Sequence, residues 1–128
     1  MNSYLIDTNI LVLAIRQRQN KWELLRGLVV TGATLSCSVI TLGEIYAGMR
    51  PHERVRTEEL FSVLDSHPVT VDVARLAGLL KNEWKVKGFT LSLPDTLIAA
   101  TAIAHGLTLI TDNRKNFPMP ELQIHPLP

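Results

Sequence analysis

A chain of 128 residues, 46 % of them hydrophobic and 20 % charged, is long enough for one domain with a real core and too apolar to stay disordered. Its formal net charge of +1 raises no global field toward nucleic acid or a membrane surface, although a local patch survives such a sum. The single cysteine, Cys37, excludes an intramolecular disulfide and points to a reducing compartment.

The opening MNSYLIDTNILVLAI has no basic leader and carries Asp7 in mid-run, so it is not a signal peptide. No uncharged apolar run reaches the roughly 20 residues that span a bilayer. A soluble, cytoplasmic single domain over residues 1–128 is expected. Ser3–Ile6 (SYLI) reads as a short buried strand, and Thr8–Arg16 follows with Leu11, Val12 and Ile15 at helical spacing. Asn20 is placed to cap a second helix through Val30, which Gly32 stops. Thr34–Ser38 (TLSCS) is a second strand. Val39–Met49 is a helix with Leu42, Ile45, Tyr46 and Met49 on one face, and Glu53–Ser66 is a further amphipathic helix. Val69–Val71 is expected as the third strand. Val73–Gly88 is a long helix with Leu76, Leu79, Leu80 and Trp84 inward and Lys81, Lys85 and Lys87 outward. Phe89–Leu93 is a loop, and Pro94 stands near the start of the next helix, where a missing N–H costs little. Leu107–Ile110 (LTLI) is the fourth strand and Gln123–His125 a candidate fifth. Short strands separated by helices predict a parallel sheet covered on both faces.

In such a sheet ligands bind beyond the carboxyl ends of the strands, and acids fall at those positions. Asp7 follows SYLI, Asp112 follows LTLI after Thr111, Asp95 opens a helix, and Glu44 is the only charge between Cys37 and Met49. Each has a plain structural role open to it: Asp7 as a helix cap, Asp95 as a partner of the helix dipole, Glu44 facing solvent, Asp112 in a turn. Taken together they suggest a hard-metal site, because unpaired carboxylates in one place repel unless a cation neutralises them. Mg²⁺ and Mn²⁺ accept such oxygens and serve phosphoryl transfer.

The segments IDTNIL (6–11), LGEIYAG (42–48), PDTLIAATAIAHG (94–106) and LITDNRKNF (109–117) resemble the PIN-domain ribonucleases, and among them the VapC-type toxins of toxin–antitoxin pairs. The resemblance spans nearly the whole chain in order, its most specific stretch running from Asp95 to Thr111. It implies a PIN-like three-layer α/β/α fold with a short, mainly parallel sheet of four to five strands. It implies a Mg²⁺- or Mn²⁺-dependent endoribonuclease, with metal-activated water as the nucleophile, a small VapB-like antitoxin as partner and a homodimer as the assembly. Asp7, Glu44 and Asp95 match the family's acidic positions. At the fourth, members often read T-x-D or T-x-N; here Asn113 stands at that site, Asp112 one residue early, and a frequent later acid is Asn116. Asp112 is taken to complete the cluster. Thr8 and Thr111 resemble outer partners that orient the acids.

Other chemistries fit poorly. No G-x-x-x-x-G-K-[ST] loop is present. A haloacid-dehalogenase-like phosphatase needs a second aspartate where Asn9 stands. His52, His67, His105 and His125 lack metal-ligand spacing, and Cys37 reads as a buried small hydrophobe. Arg50, Arg54 and Arg56 around one turn, and Arg114 with Lys115 beside Asp112, read first as solvated charge and second as a phosphate track. The competing functional class is a catalytically silent PIN-like module that binds RNA or protein.

Overall fold

In the computed structural model, which describes residues 2–127, β1 (Ser3–Ile6), β2 (Thr34–Ser38), β3 (Asp65–His67) and β4 (Thr108–Ile110) form one parallel sheet in the order β3-β2-β1-β4. Alternation along each strand divides the core in two. Leu5 and Leu109 face one side, where they meet Val73, Ala77 and Leu80 of α5 (Val71–Val86) and Ile98 and Ala102 of α6 (Leu93–His105). Tyr4, Ile6, Leu35, Cys37 and Ile110 face the other side. They pack on α1 (Thr8–Ile15), α2 (Lys21–Val30), α3 (Val39–Gly48) and α4 (Arg54–Val63). This is the expected α/β/α arrangement with helices on both faces. Among the described residues no helix is long and apolar enough to cross a membrane.

Helix α6 is buried without interruption from Thr96 to Ala102. Its alanines admit a close approach to α5, while the Thr96 and Thr101 hydroxyls donate to Leu93 O and Leu97 O within the helix and so cost little in the core. The candidate fifth strand is reduced to a parallel bridge between Leu109 and Ile124, carried by Leu109 N to Gln123 O and His125 N to Leu109 O, each 2.8 Å.

Several local expectations change. The third strand is Asp65–His67, not Val69–Val71, and the helix before it ends at Val63. Asp65–His67 is an edge strand and needs no apolar face, so its polar sequence hides it; Thr70 meanwhile caps α5 by accepting from Val73 N (3.1 Å), and Val71 is already helical. Asn20 precedes α2 in the left-handed region (φ 56°) and makes no side-chain cap bond. Leu93 opens α6 rather than closing a loop, because Ser92 is its cap. Leu79 is 59 % exposed, and Lys81, expected outward, donates its ammonium to Leu91 O.

Candidate active site

The chain leaves β1 toward β2 and β3 on one side and returns to β4 on the other, so the sheet's switch point lies between β1 and β4. Asp7 is the first residue past β1, its N–H bound to Ile110 O (3.0 Å). It takes extended geometry at the head of α1, where the positive end of the helix favours a carboxylate. Oδ1 accepts from Thr8 N (2.8 Å) and Oδ2 from the Thr111 hydroxyl (2.8 Å), which in turn accepts from Asn113 N (3.1 Å). The carboxylate is only 7 % exposed. Burial pushes its pKa above the ordinary 3.8 and outweighs the Thr111 and Thr8 bonds, and repulsion from Asp95 and Asp112 adds to the rise.

Helix α3 brings Glu44. Ser38 caps the helix through Ile40 N (3.1 Å), and Thr41 and Glu44, three residues apart, share a face. The Thr8 hydroxyl donates to Glu44 Oε1 (2.8 Å) and lies 2.9 Å from Thr41 Oγ1. On α6, Ser92 Oγ accepts from Asp95 N (3.2 Å). The serine does the capping, which leaves the Asp95 carboxylate with a single recorded bond, Asn116 Nδ2 to Oδ2 at 3.3 Å. The carboxylate at the head of the apolar helix is therefore turned toward the sheet edge.

Asp7, Glu44 and Asp95 line one cleft of about 300 Å³ together with Thr8, Asn9, Val12, Asn113 and Asn116. Asp112 does not line it; the Asn9 amide holds both its oxygens from the rim, at 3.2 and 3.1 Å. Thr41, Asn9 and Asn116 support the acids through contacts that cross between elements, and only the three-residue step from Thr41 to Glu44 is visible in sequence. Among the described residues no three Asp, Glu, His or Cys side chains gather closely enough to ligate one ion by themselves. No lysine or arginine lines the cleft. The donors are hard oxygens, three carboxylates among neutral threonine and asparagine side chains, which fits Mg²⁺ or Mn²⁺, ions that take one or two carboxylates and keep several waters.

Residues 4–119 match the PIN domain. The chain belongs to the PIN-domain family. This PIN domain is 37 % identical over 120 residues to Ribonuclease VapC19 of Mycobacterium tuberculosis, across 93 % of its own length and 96 % of the relative's. It is 29 % identical over 119 residues to Ribonuclease VapC2 of Rickettsia felis, with 89 % of each chain covered. Its backbone matches VapBC2 from Rickettsia felis bound to a promoter DNA fragment with a TM-score of 0.84 and 28 % identity over 96 % of this chain and 97 % of that one. A toxin–antitoxin complex from Klebsiella pneumoniae gives 0.77 and 32 % over 93 % and 94 %. Within the family this PIN domain is of the VapC type.

The remaining sequence candidates lie elsewhere. His67 and His105, far apart in sequence, come together: their rings stand 4.2 Å apart, and burial together with His105 holds the His67 pKa below 6.5. Cys37 is buried, 3.8 Å from Ser66 Oγ, and burial pushes its thiol pKa up.

Proposed function

We propose that this VapC-type PIN domain is a Mg²⁺- or Mn²⁺-dependent endoribonuclease, the toxin of a toxin–antitoxin pair. The observation that carries the reading is a buried, doubly hydrogen-bonded Asp7 carboxylate at the sheet's switch point, sharing a cleft with Glu44 and Asp95 and with no cationic side chain. Asp7 and Asp95 would be the principal metal ligands, with Glu44 beside them and Asp112 acting from the rim. A divalent cation held by these carboxylates would neutralise their charge and supply Lewis-acid activation of water and of a phosphodiester. The protein's own part is orientation. Thr8 and Thr111 fix the Asp7 oxygens, Thr8 also fixes Glu44, and Asn116 steadies Asp95, so that little reorganisation is needed on binding. No thiol or imidazole lines the cleft, and the hydroxyl that does, that of Thr8, is engaged with Glu44 and Thr41 as an orienting group.

The partner reading follows from the kinship with VapBC complexes. A small VapB-like antitoxin would dock on the apolar cleft of about 300 Å³ lined by Trp22, Leu25 and Val29 of α2 and Leu60 and Val63 of α4. Such a cleft suits the apolar side of a short helix. Tyr46 of α3 does not line it and instead stacks on Phe61 at 5.7 Å, and Leu25 is largely core, 3 % exposed. Self-association into a homodimer belongs to the same proposal.

The deciding measurement is RNA cleavage as a function of divalent cation. Wild type should cleave with Mg²⁺ or Mn²⁺ and stop with chelator, while Asp7→Asn and Asp95→Asn should each lose at least about 10²-fold with unchanged circular dichroism. RNA binding without cleavage under any cation would instead establish the silent module.

A further inference from the structure

The acid cleft is lined by carboxylates and no cationic side chain, so without its cation it repels RNA, and the side chains that line it add no positive charge to hold the strand. A cationic surface for the strand has to be sought elsewhere on the fold. A second, larger cleft of about 520 Å³ opens at the far end of α1, lined among others by Arg16, Arg18, Arg50 and Arg56. Two acids line it as well, and one is already consumed: Glu53, 6 % exposed, accepts from Arg16 Nε at 2.9 Å and from Arg50 N at 2.9 Å. Glu59 is the other. Among the described residues Arg18, Arg50 and Arg56 pair with no carboxylate, whereas Arg54, which sequence grouped with them, is spent on Glu58 at 3.2 Å.

Three features make this more than loose surface charge. The Arg16–Glu53 pair anchors the wall, and the Arg56 guanidinium rests over the Trp22 ring at 5.2 Å from its centroid, which holds it in place. The turn that presents Arg18 is held in an uncommon conformation. Gln17, Gln19 and Asn20 all take positive φ (54°, 54° and 56°), a left-handed region that is costly for glutamine and better tolerated by asparagine. Part of that cost has a local reason: Gln17 N to Ala14 O and Arg18 N to Leu13 O close α1 in a Schellman turn, where glycine is the usual choice. Finally, the two clefts are joined. A small cleft between them is lined by Val12 and Glu44, shared with the acid site, and by Arg16 and Glu53, shared with the basic one.

We infer that the arginine cleft binds a phosphate of the RNA strand at a distance from the bond being cut, an inference that rests on the ribonuclease reading above. Arginine suits this task because its planar fork grips phosphate oxygens in pairs. Thr8 and Arg16 are separated by about 12 Å of helix, which places the contact about two to four nucleotides from the reacting phosphate. The joined clefts favour a strand over an isolated acidic peptide, because one ligand then spans both sites. The contact adds binding to the ground and transition states alike, so its loss is read in KM rather than in kcat.

The test uses a fluorescein-labelled single-stranded RNA of about a dozen nucleotides, with Asp7→Asn protein for binding and the active enzyme for cleavage. Arg18→Ala/Arg50→Ala/Arg56→Ala should raise Kd and KM by about tenfold or more. It should also lower the slope of log K against log salt by about 0.7, the value for one lost phosphate contact on a single strand. Lys85→Ala, an exposed charge on α5, serves as the charge-loss control and should change neither. Wild type that cleaves no RNA overturns the parent reading. Wild type that cleaves, with a triple variant equal to it in KM and salt slope, overturns this inference alone. Loss of poly-glutamate binding in the triple variant with RNA binding intact also overturns it and assigns the cleft to an acidic protein segment.

Discussion

Asp7 accepts two hydrogen bonds, yet burial and two neighbouring carboxylates raise its pKa, so in metal-free protein its charge is a net liability. An acid with a raised folded-state pKa destabilises the fold above that pKa, and the penalty fades as pH falls toward 3.8. Asp7→Asn keeps an acceptor for Thr8 N and offers an amide donor to Thr111. With chelator at neutral pH it should melt about 2–5 °C above wild type, the shift produced by roughly 1 kcal/mol in a domain of this size. The difference should close in a melting series taken downward in pH; a variant that melts lower at neutral pH would show that the two hydrogen bonds outweigh the charge. Asn113 offers the converse change. It lines the cleft while Asp112 is held on the rim by Asn9, so the notion that Asp112 completes the cluster gives way to the proposal that it acts through its charge. Asn113→Asp places a carboxylate on the cleft wall and should tighten the apparent Mg²⁺ affinity by about tenfold, measured from the cation dependence of cleavage. Unchanged or weaker affinity would show that the side chain at 113 does not reach the ion.

The element that ties the two clefts together is the C-terminal end of α1, fastened to the Pro51–Glu53 turn and α4 by the Arg16–Glu53 pair. Glu53 is held below its ordinary 4.5, first by the Arg50 N–H and then by Arg16, against the opposing effect of burial. A carboxylate with a lowered folded-state pKa contributes stability that is present above the unfolded value and lost as pH falls through the folded one. Glu53→Gln should therefore melt several degrees lower than wild type at neutral pH and converge with it below about pH 4.5. A constant gap across that range would trace the effect to packing. This pair was not visible in the sequence, since Arg16 and Glu53 lie 37 residues apart and nothing local marks either as buried. The elements themselves were more legible where local chemistry and burial agree. SYLI and TLSCS formed at the expected residues because they are central strands whose apolar alternation packs on both faces. Asp65–His67 escaped because an edge strand makes its ladder with backbone alone, while Val69, the residue expected there, is drawn to the α5–α6 core beside capping Thr70. Asp7 and Asp95 were readable because one follows a strand and the other opens a helix at the sheet edge, and Glu44 because it is the only charge between Cys37 and Met49. Their partners Asn9, Thr41 and Asn116 were not, because those contacts exist only once α1, α3 and the 114–116 turn are assembled.

For the whole molecule, the acid cleft at the switch point and the arginine cleft at the end of α1 are linked through a small cleft that shares Val12 and Glu44 with the first and Arg16 and Glu53 with the second, and the arginine cleft in turn borders the apolar cleft between α2 and α4. Glu59 lines both the basic and the apolar clefts, and Trp22 of the apolar cleft carries Arg56 of the basic one. A partner seated on the apolar cleft would thus cover ground beside the RNA path without touching the acids, so inhibition and metal binding are separable. Val63 is the residue with which to separate them. It is 57 % exposed on the apolar cleft wall, and a charge there costs the fold little while leaving an unpaired carboxylate inside any helix interface. Val63→Asp should keep its melting temperature within about 2 °C, the range of surface changes, and should keep RNA cleavage. Co-expressed with a VapB-like antitoxin that binds and inhibits wild type, it should lose copurification and escape inhibition, weakening binding by about 30-fold or more for a loss near 2 kcal/mol. Retained inhibition by the same partner would move the antitoxin off the α2–α4 cleft, and retained copurification without inhibition would place it there by contacts that Val63 does not make.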